Sequence, residues 1–390
     1  MQILLVTGPG GAGSSTVAAA TALRLAAGGG RVVLLTTDPP RTTGLGEAVE
    51  VDVVAAGPAL EQLWGRHAEQ LGGALPLLTV PPASSVVPVP GVREFALLTA
   101  LAGHAAAGRA DAVVLDAGPT PAAAALLALP SALRWWLGQA APTRLRVLAA
   151  LRAAATPEQP GGTAALLAGV AGVEELLTHV PLADPERTAV HLVLRPEPGA
   201  AGELRATATA LGVLGQRVAS VTVARLLPHG PGEWWAQRAT VQAEALRAVD
   251  ELVGEVREVA ESAVPPVTAA DVAALDAAVP DAPAPQATPP APRRVDGDWV
   301  LDLPLPFARR GEVELTRWDD DLVVTAAGMR RSVPLDALLR RCTVTGGALA
   351  APGTASATLE VRFTPDPAQW PTGLLRPEAG ATADPEGSRA

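Results

Sequence analysis

At 390 residues the chain is long enough for two or three domains and a full hydrophobic core. A formal net charge of −10 and a pI near 5.1 exclude a basic face for nucleic acid or an anionic membrane. Cys342 is the single cysteine, which excludes an intrachain disulfide, a Cys-x-x-Cys metal clip and a multi-thiolate metalloid site.

Hydrophobic residues make up 48% of the chain and aromatic residues 3%, and lysine, asparagine and tyrosine do not occur. Arginine replaces surface lysine readily, but that bias does not account for a missing functional lysine. The positive mean hydropathy reflects alanine-rich buried helices. No apolar run reads as a membrane span of about 18 residues, and no basic leader with a cleavage site precedes the first apolar run. A cytoplasmic protein without an integral membrane segment is expected.

Residues 2 to 7 read as an apolar strand that runs into Gly8-Pro9-Gly10-Gly11-Ala12-Gly13-Ser14-Ser15-Thr16 and then into a helix-prone, alanine-rich run. Strand, glycine-rich turn and helix start make a phosphate cradle, because backbone N–H groups converge on an anion at the helix N-terminus. The pattern G-x-x-x-x-G-K-[ST] is met by Gly8, Gly13 and Ser15, with Ser14 in place of the lysine. Gly28-Gly29-Gly30 stops that helix, and 31–37 is a second strand apolar on both faces, the pattern of a parallel sheet covered by helices.

Further strands are expected at 51–55, 111–115, 188–194 and 218–226, and helices near 58–71, 92–107, 120–138, 142–154, 162–179, 200–212 and 232–253. This alternation predicts an α/β fold with an open, mostly parallel sheet over residues 1–278. The strand-free stretch 137–180 reads as a helical insertion. Proline density at 279–294 predicts an extended linker. Beyond it, 295–366 alternates apolar and polar residues in short runs, the pattern of a small antiparallel β-sandwich, and 367–390 reads as a disordered tail.

The glycine loop resembles the deviant P-loop G-K-G-G-V-G-K-[ST]-[ST] of the ArsA family, which includes arsenite-pump ATPases and ATPases that target tail-anchored proteins. Pro9 and Ser14 stand at its two lysines. The resemblance implies a dimeric switch driven by ATP and Mg²⁺, with Gly8, Gly10, Gly11, Gly13, Ser14, Ser15 and Thr16 around the phosphates and Ser15 on the metal. Thr37-Asp38-Pro39-Pro40-Arg41 resembles the family's S-T-D-P-A-H, which implies that Asp38 positions the attacking water. The stretch Asp111 to Thr120 resembles V-V-x-D-x-A-P-T, placing Asp116 at the magnesium aspartate. Pro196-Glu197 is similar to a turn bordering the adenine. Ala224 stands where the family's asparagine reads the adenine edge.

The segment from Leu303 to Phe363 is similar to the α-crystallin-like, small heat-shock type domain appended to some bacterial ArsA-type proteins. Its marks are Leu303-Pro304-Leu305-Pro306-Phe307, Asp320 to Gly328, the following Arg-Arg-Ser-Val-Pro-Leu and Leu359 to Phe363.

Charged hydrogen bonds contribute about 1.5–3 kcal/mol each, so two absent lysines remove roughly a hundred- to ten-thousandfold in affinity or rate. Weak or absent ATP hydrolysis is therefore expected, with Arg41 as the cation nearest Asp38 in sequence. The alternatives are a non-catalytic, chaperone-like scaffold and a pseudo-ATPase paired with an active paralogue, so the partner is a second copy or that paralogue. A hydrophobic protein client is compatible with the helical insertion, although Met1 and Met329 are too few for a methionine groove. The Trp135-Trp136 pair reads as core or interface, the histidines lack metal-ligand spacing, and Arg330, Arg331, Arg340 and Arg341 read as solvated strand ends.

Overall fold

In the computed structural model the described residues are 1–74, 80–140, 142, 162–184, 186–280 and 291–370. Seven strands form one parallel sheet: β1 (Gln2–Gly8), β2 (Val32–Thr36), β3 (Glu50–Val53), β4 (Ala112–Pro119), β5 (Thr188–Leu194), β6 (Val218–Leu226) and β7 (Arg257–Ala260). Their order is β3-β2-β4-β1-β5-β6-β7, every adjacent pair parallel. The apolar runs become the inner strands because both faces are covered: β2 and β5 are buried at every residue.

The two faces divide by side-chain alternation. Leu4 and Val6 pack with Val17, Ala18 and Ala22 of helix α1 (Ser14–Ala27). Ile3 and Leu5 pack instead with α4 (Val92–Ala107), α5 (Thr120–Ala140) and α6 (Gly162–His179). Helices α2 (Leu45–Ala48) and α3 (Ala56–Ala74) lie between β2 and α4 in the chain. Helices α7 (Ala200–Val213) and α8 (Glu233–Val253) follow β5 and β6, and α9 (Ala269–Ala274) closes this half. Because all strands run the same way, the loops after β1, β2, β4, β5 and β6 emerge at one edge of the sheet.

In the first half three strands and helices have no counterpart among the expected ones. Strand β7 is a four-residue edge strand with one buried position, too short and too charged to carry a pattern. Helices α2 and α9 span a turn or so; α9 is held by a capping box in which Thr268 accepts from Asp271 N and the Asp271 carboxylate accepts from Thr268 N. The expected helix at 142–154 lies outside the described residues apart from Pro142.

At the near end of the proline-rich stretch, Val279 is buried and tied to α1, its N–H donating to Thr21 Oγ1 at 3.0 Å and its carbonyl accepting from Arg24 Nη2 at 2.7 Å. At the far end, β8 (Arg293–Val295) already pairs with β9 (Asp298–Pro304).

The C-terminal part is a two-sheet sandwich. One sheet is β10 (Glu314–Trp318), β11 (Asp321–Ala326) and β12 (Met329–Pro334). The other runs β13-β14-β9-β8, with β13 (Cys342–Ala350) and β14 (Thr358–Pro365). Leu303, Leu322, Val324, Leu359, Val361 and Phe363 fill the space between them. Past β14, Trp370 Nε1 still donates to the Arg341 carbonyl at 2.8 Å.

This sandwich rests on the helices of the first half. Val213 of α7 sits in its core, Thr209 Oγ1 donates to the Pro306 carbonyl at 2.7 Å, and a Cβ on Gly212 would fall 2.8 Å from Pro306 Cδ. Arg331 departs from the solvated reading: its guanidinium lies where a Cβ on Gly215 would meet Nη1 at 2.1 Å, and burial beside Arg134 pushes its pKa down. Arg340 keeps the expected role, 3.5 Å from Asp320.

Candidate nucleotide site

The loop after β1 turns through two left-handed glycines, Gly11 (φ 79°) and Gly13 (φ 100°), which other residues adopt only at a cost. Side chains added at Gly10, Gly11 or Gly13 would meet nothing within 4 Å, so these glycines border open space. Gly8 is different: a Cβ there would lie 2.0 Å from the Val193 carbonyl oxygen of β5. Its glycine is required for close strand approach.

Gly13 caps α1 without a side-chain bond, and the first intrahelical bond recorded there is Val17 N to Gly13 O at 3.0 Å. The N–H groups of Ser14, Ser15 and Thr16 therefore precede the helix's own acceptors and are available to an anion, with the helix dipole behind them. Backbone donors are all present; the lysine charge is not.

Asp116 stands in the C-terminal half of β4, beside this loop. It is 9% exposed and accepts from Gly118 N at 3.2 Å. Burial pushes its carboxyl pKa up; the bonds from Ser15 and Gly118 and the charge of Arg93 oppose that shift, and Asp38 adds to it. Two strands bring this about, since β1 and β4 are neighbours and Val6 pairs with Asp116. A buried carboxylate without a matching cation, joined to a loop hydroxyl, fits a magnesium ion, which prefers one or two protein oxygens together with water and phosphate. Ser15 and Asp116 would hold it.

Asp38 follows β2 at the same edge and is exposed; its backbone N–H and carbonyl both bond Thr36 Oγ1, at 3.3 and 3.1 Å. Its carboxylate accepts from Thr37 Oγ1 at 3.3 Å. Arg41, the cation expected here, is exposed and has no recorded bond to Asp38. The side chain that does reach Asp38 is Arg93, in the first turn of α4. Its Nη2 donates to Thr37 Oγ1, lies 3.5 Å from Asp38 Oδ2, and would be 3.7 Å from a Cβ on Gly118. Arg93 went unrecognised in the sequence because 55 residues separate it from Asp38 and no phosphate motif surrounds it.

On the other flank, Pro196 is buried and Glu197 forms an ion pair with Arg195 at 2.7 Å, in the turn after β5. Ala224 is buried in β6, and the next residue, Arg225, has φ 66° at a bulge against β7 and reaches Glu261 at 3.5 Å. Phosphate loop, Asp38, Asp116 and the Pro196-Glu197 turn thus share one sheet edge. Among the described residues no group of three or more His, Cys, Asp or Glu is placed to hold a metal ion by itself.

A parallel sheet with β1 central, a left-handed glycine loop feeding α1 and an aspartate in the adjacent strand define the P-loop fold. The family model for the anion-transporting ATPase ArsA matches residues 1–55 and 45–265, and the one for the HSP20-like domain found in ArsA matches residues 296–363. The chain belongs to the ArsA ATPase family, in the form that has an HSP20-like domain after the ATPase part. It is 38% identical over 297 residues to the protein SCO2128 of Streptomyces coelicolor, covering 74% of each chain. It is 33% identical over 355 residues to the protein Rv2184c of Mycobacterium tuberculosis, covering 84% of this chain and 81% of that one. Among the described residues no helix is long and apolar enough to cross a membrane.

Proposed function

We propose that this protein is a weak nucleotide switch of the ArsA type, which binds ATP with Mg²⁺ and hydrolyses it slowly. The observation that carries the reading is the left-handed glycine loop beside the buried Asp116 of the neighbouring strand, with Asp38 following β2 at the same edge and serine at the lysine position. Backbone N–H groups of the loop and of α1 hold the phosphates, Ser14 adds a neutral donor, and Pro196-Glu197 borders the base. Magnesium, when bound, spreads the charge of the β and γ oxygens. Asp38, exposed and joined to the end of β2, orients the water and accepts its proton as it attacks phosphorus.

Dimerisation through this edge fits the apolar side chains exposed around it. Val87 and Val89 are 81% and 66% exposed just before α4, and Val264 is 70% exposed after β7. A second reading, a scaffold that holds apolar segments, is favoured by a cleft of about 490 Å³ between α5 and the outer face of the β10-β11-β12 sheet. Trp135 and Trp136 line it as an edge-to-face pair with centroids 4.9 Å apart, and Trp136 is 64% exposed.

The test is calorimetric titration of the full chain with ATP and Mg²⁺, followed by steady-state phosphate release. Measurable binding with slow release is expected. Absence of binding overturns the switch, and rapid release overturns the description of it as weak.

A further inference from the structure

We propose that Arg93 supplies the positive charge missing from the phosphate loop, and that it does so by leaving Thr37 and Asp38 to grip the terminal phosphate of ATP. This rests on the nucleotide reading given above.

The site is short of positive charge. Asp38 and Asp116 lie close enough for one charge to act on the other, Ser14 and Pro9 are neutral, and a nucleoside triphosphate brings several negative charges more. Among the described residues, Arg93 is the arginine whose side chain bonds the loop after β2. Its Nη2 bonds Thr37 Oγ1, lies 3.5 Å from Asp38 Oδ2 after β2, and would be 3.7 Å from a Cβ on Gly118 near the end of β4. Its charge also acts on Asp116. Arg93 therefore stands between the loop that follows β2 and the C-terminal end of β4, on the side where Asp38 lies.

Its present partners are easily exchanged. The Arg93 side chain is 40% exposed and that of Asp38 88% exposed, and an exposed pair of this kind contributes little to stability. A guanidinium has a fork of donors, of which the hydroxyl and the distant carboxylate engage one nitrogen, and phosphate offers bidentate, charge-assisted bonds. Exchange would also release Asp38 to engage water. Arg93 lies in the first turn of α4, two residues past Gly91 (φ 95°), so its backbone is held by a helix start and only the side chain has to swing.

A residue that grips only the third phosphate distinguishes ATP from ADP. The test is calorimetric titration of the full-length protein and its Arg93→Ala, Arg93→Gln and Arg93→Lys variants, each with ATPγS–Mg²⁺ and with ADP–Mg²⁺. The expected result is a roughly ten- to hundredfold weakening of ATPγS binding in Arg93→Ala and Arg93→Gln. ADP binding should stay within about threefold of wild type, the scatter of a peripheral contact, and Arg93→Lys should lie between.

Thermal unfolding of each variant without nucleotide should match wild type closely, since the resting pair is exposed; Arg93→Gln keeps a long polar side chain should the alanine variant fold poorly. Wild-type binding of both nucleotides with an unchanged ATPγS-to-ADP ratio in the Arg93 variants overturns this inference alone. So does a collapse of that ratio in Arg41→Ala and not in Arg93→Ala. Failure of wild type to bind either nucleotide overturns the nucleotide reading, and Arg93's role with it.

Discussion

Replacing Asp116 by asparagine should make the nucleotide-free protein more stable while ending its response to magnesium. Asp116 is 9% exposed, and burial raises its pKa against the opposing bonds from Ser15 and Gly118. A carboxyl whose folded pKa is raised stabilises the fold below its ordinary value of 3.8 and loses that contribution as pH rises through the folded value. At neutral pH the ionised group is therefore a net cost, of the kind that active sites carry. Asparagine keeps an oxygen for the Gly118 N–H, 3.2 Å away in wild type, and its amide can donate to Ser15.

The gain should be about 1–2 kcal/mol, or roughly 2–8 °C in Tm for a domain of this size. Scanning calorimetry at pH 7.5 without divalent ions measures it, and the gain should shrink as the buffer is made acidic and the wild-type carboxyl takes up its proton. Wild type should gain Tm on addition of ATP with Mg²⁺, as any ligand of the native state produces, and Asp116→Asn should not. A variant less stable than wild type, or one with the full magnesium response, would refute the account of Asp116 as a buried charge awaiting a cation.

Gly8→Ala puts a methyl group 2.0 Å from the Val193 carbonyl oxygen; separating β1 from β5 should cost about 3 kcal/mol, visible in urea unfolding together with lost nucleotide affinity. His191, buried with Nδ1 on Ser220 Oγ at 2.7 Å, has its pKa lowered from 6.5 to about 4 by burial. The unfolded chain therefore binds the extra proton, and stability should fall by about 3 kcal/mol as pH drops through that window; His191→Gln should flatten this slope. Gly212→Ala, whose Cβ meets Pro306 Cδ at 2.8 Å, together with Thr209→Val, should loosen the sandwich from α7. Limited proteolysis should then release it intact, whereas unchanged resistance would contradict the docking described.

Much of the fold was readable because it is written in short-range pattern. Strands β5 and β6 occupy the expected 188–194 and 218–226, since continuous apolar runs of that length bury only as inner parallel strands. The sandwich was readable from alternation, as Leu322 and Val324 face inward between less buried neighbours. Strand β7 was not, because one buried residue in four leaves no period to detect, and its place comes from pairing with β6.

The placement of the glycine loop, Asp38 and Asp116 was likewise evident in sequence, because a glycine turn and the carboxylates near it lie within or a few positions from the strands that hold them. By itself the sequence determined most strands of the sheet, the glycine loop and the serine at its lysine position. Only the tertiary structure decided that a helix beginning 55 residues beyond Asp38 returns Arg93 to it, and that Arg331 of the sandwich packs against Gly215 of the ATPase half. Local periodicity is set by neighbouring φ, ψ and burial, whereas the reach of a guanidinium across two loops depends on how whole helices settle on the sheet, which no spacing along the chain encodes.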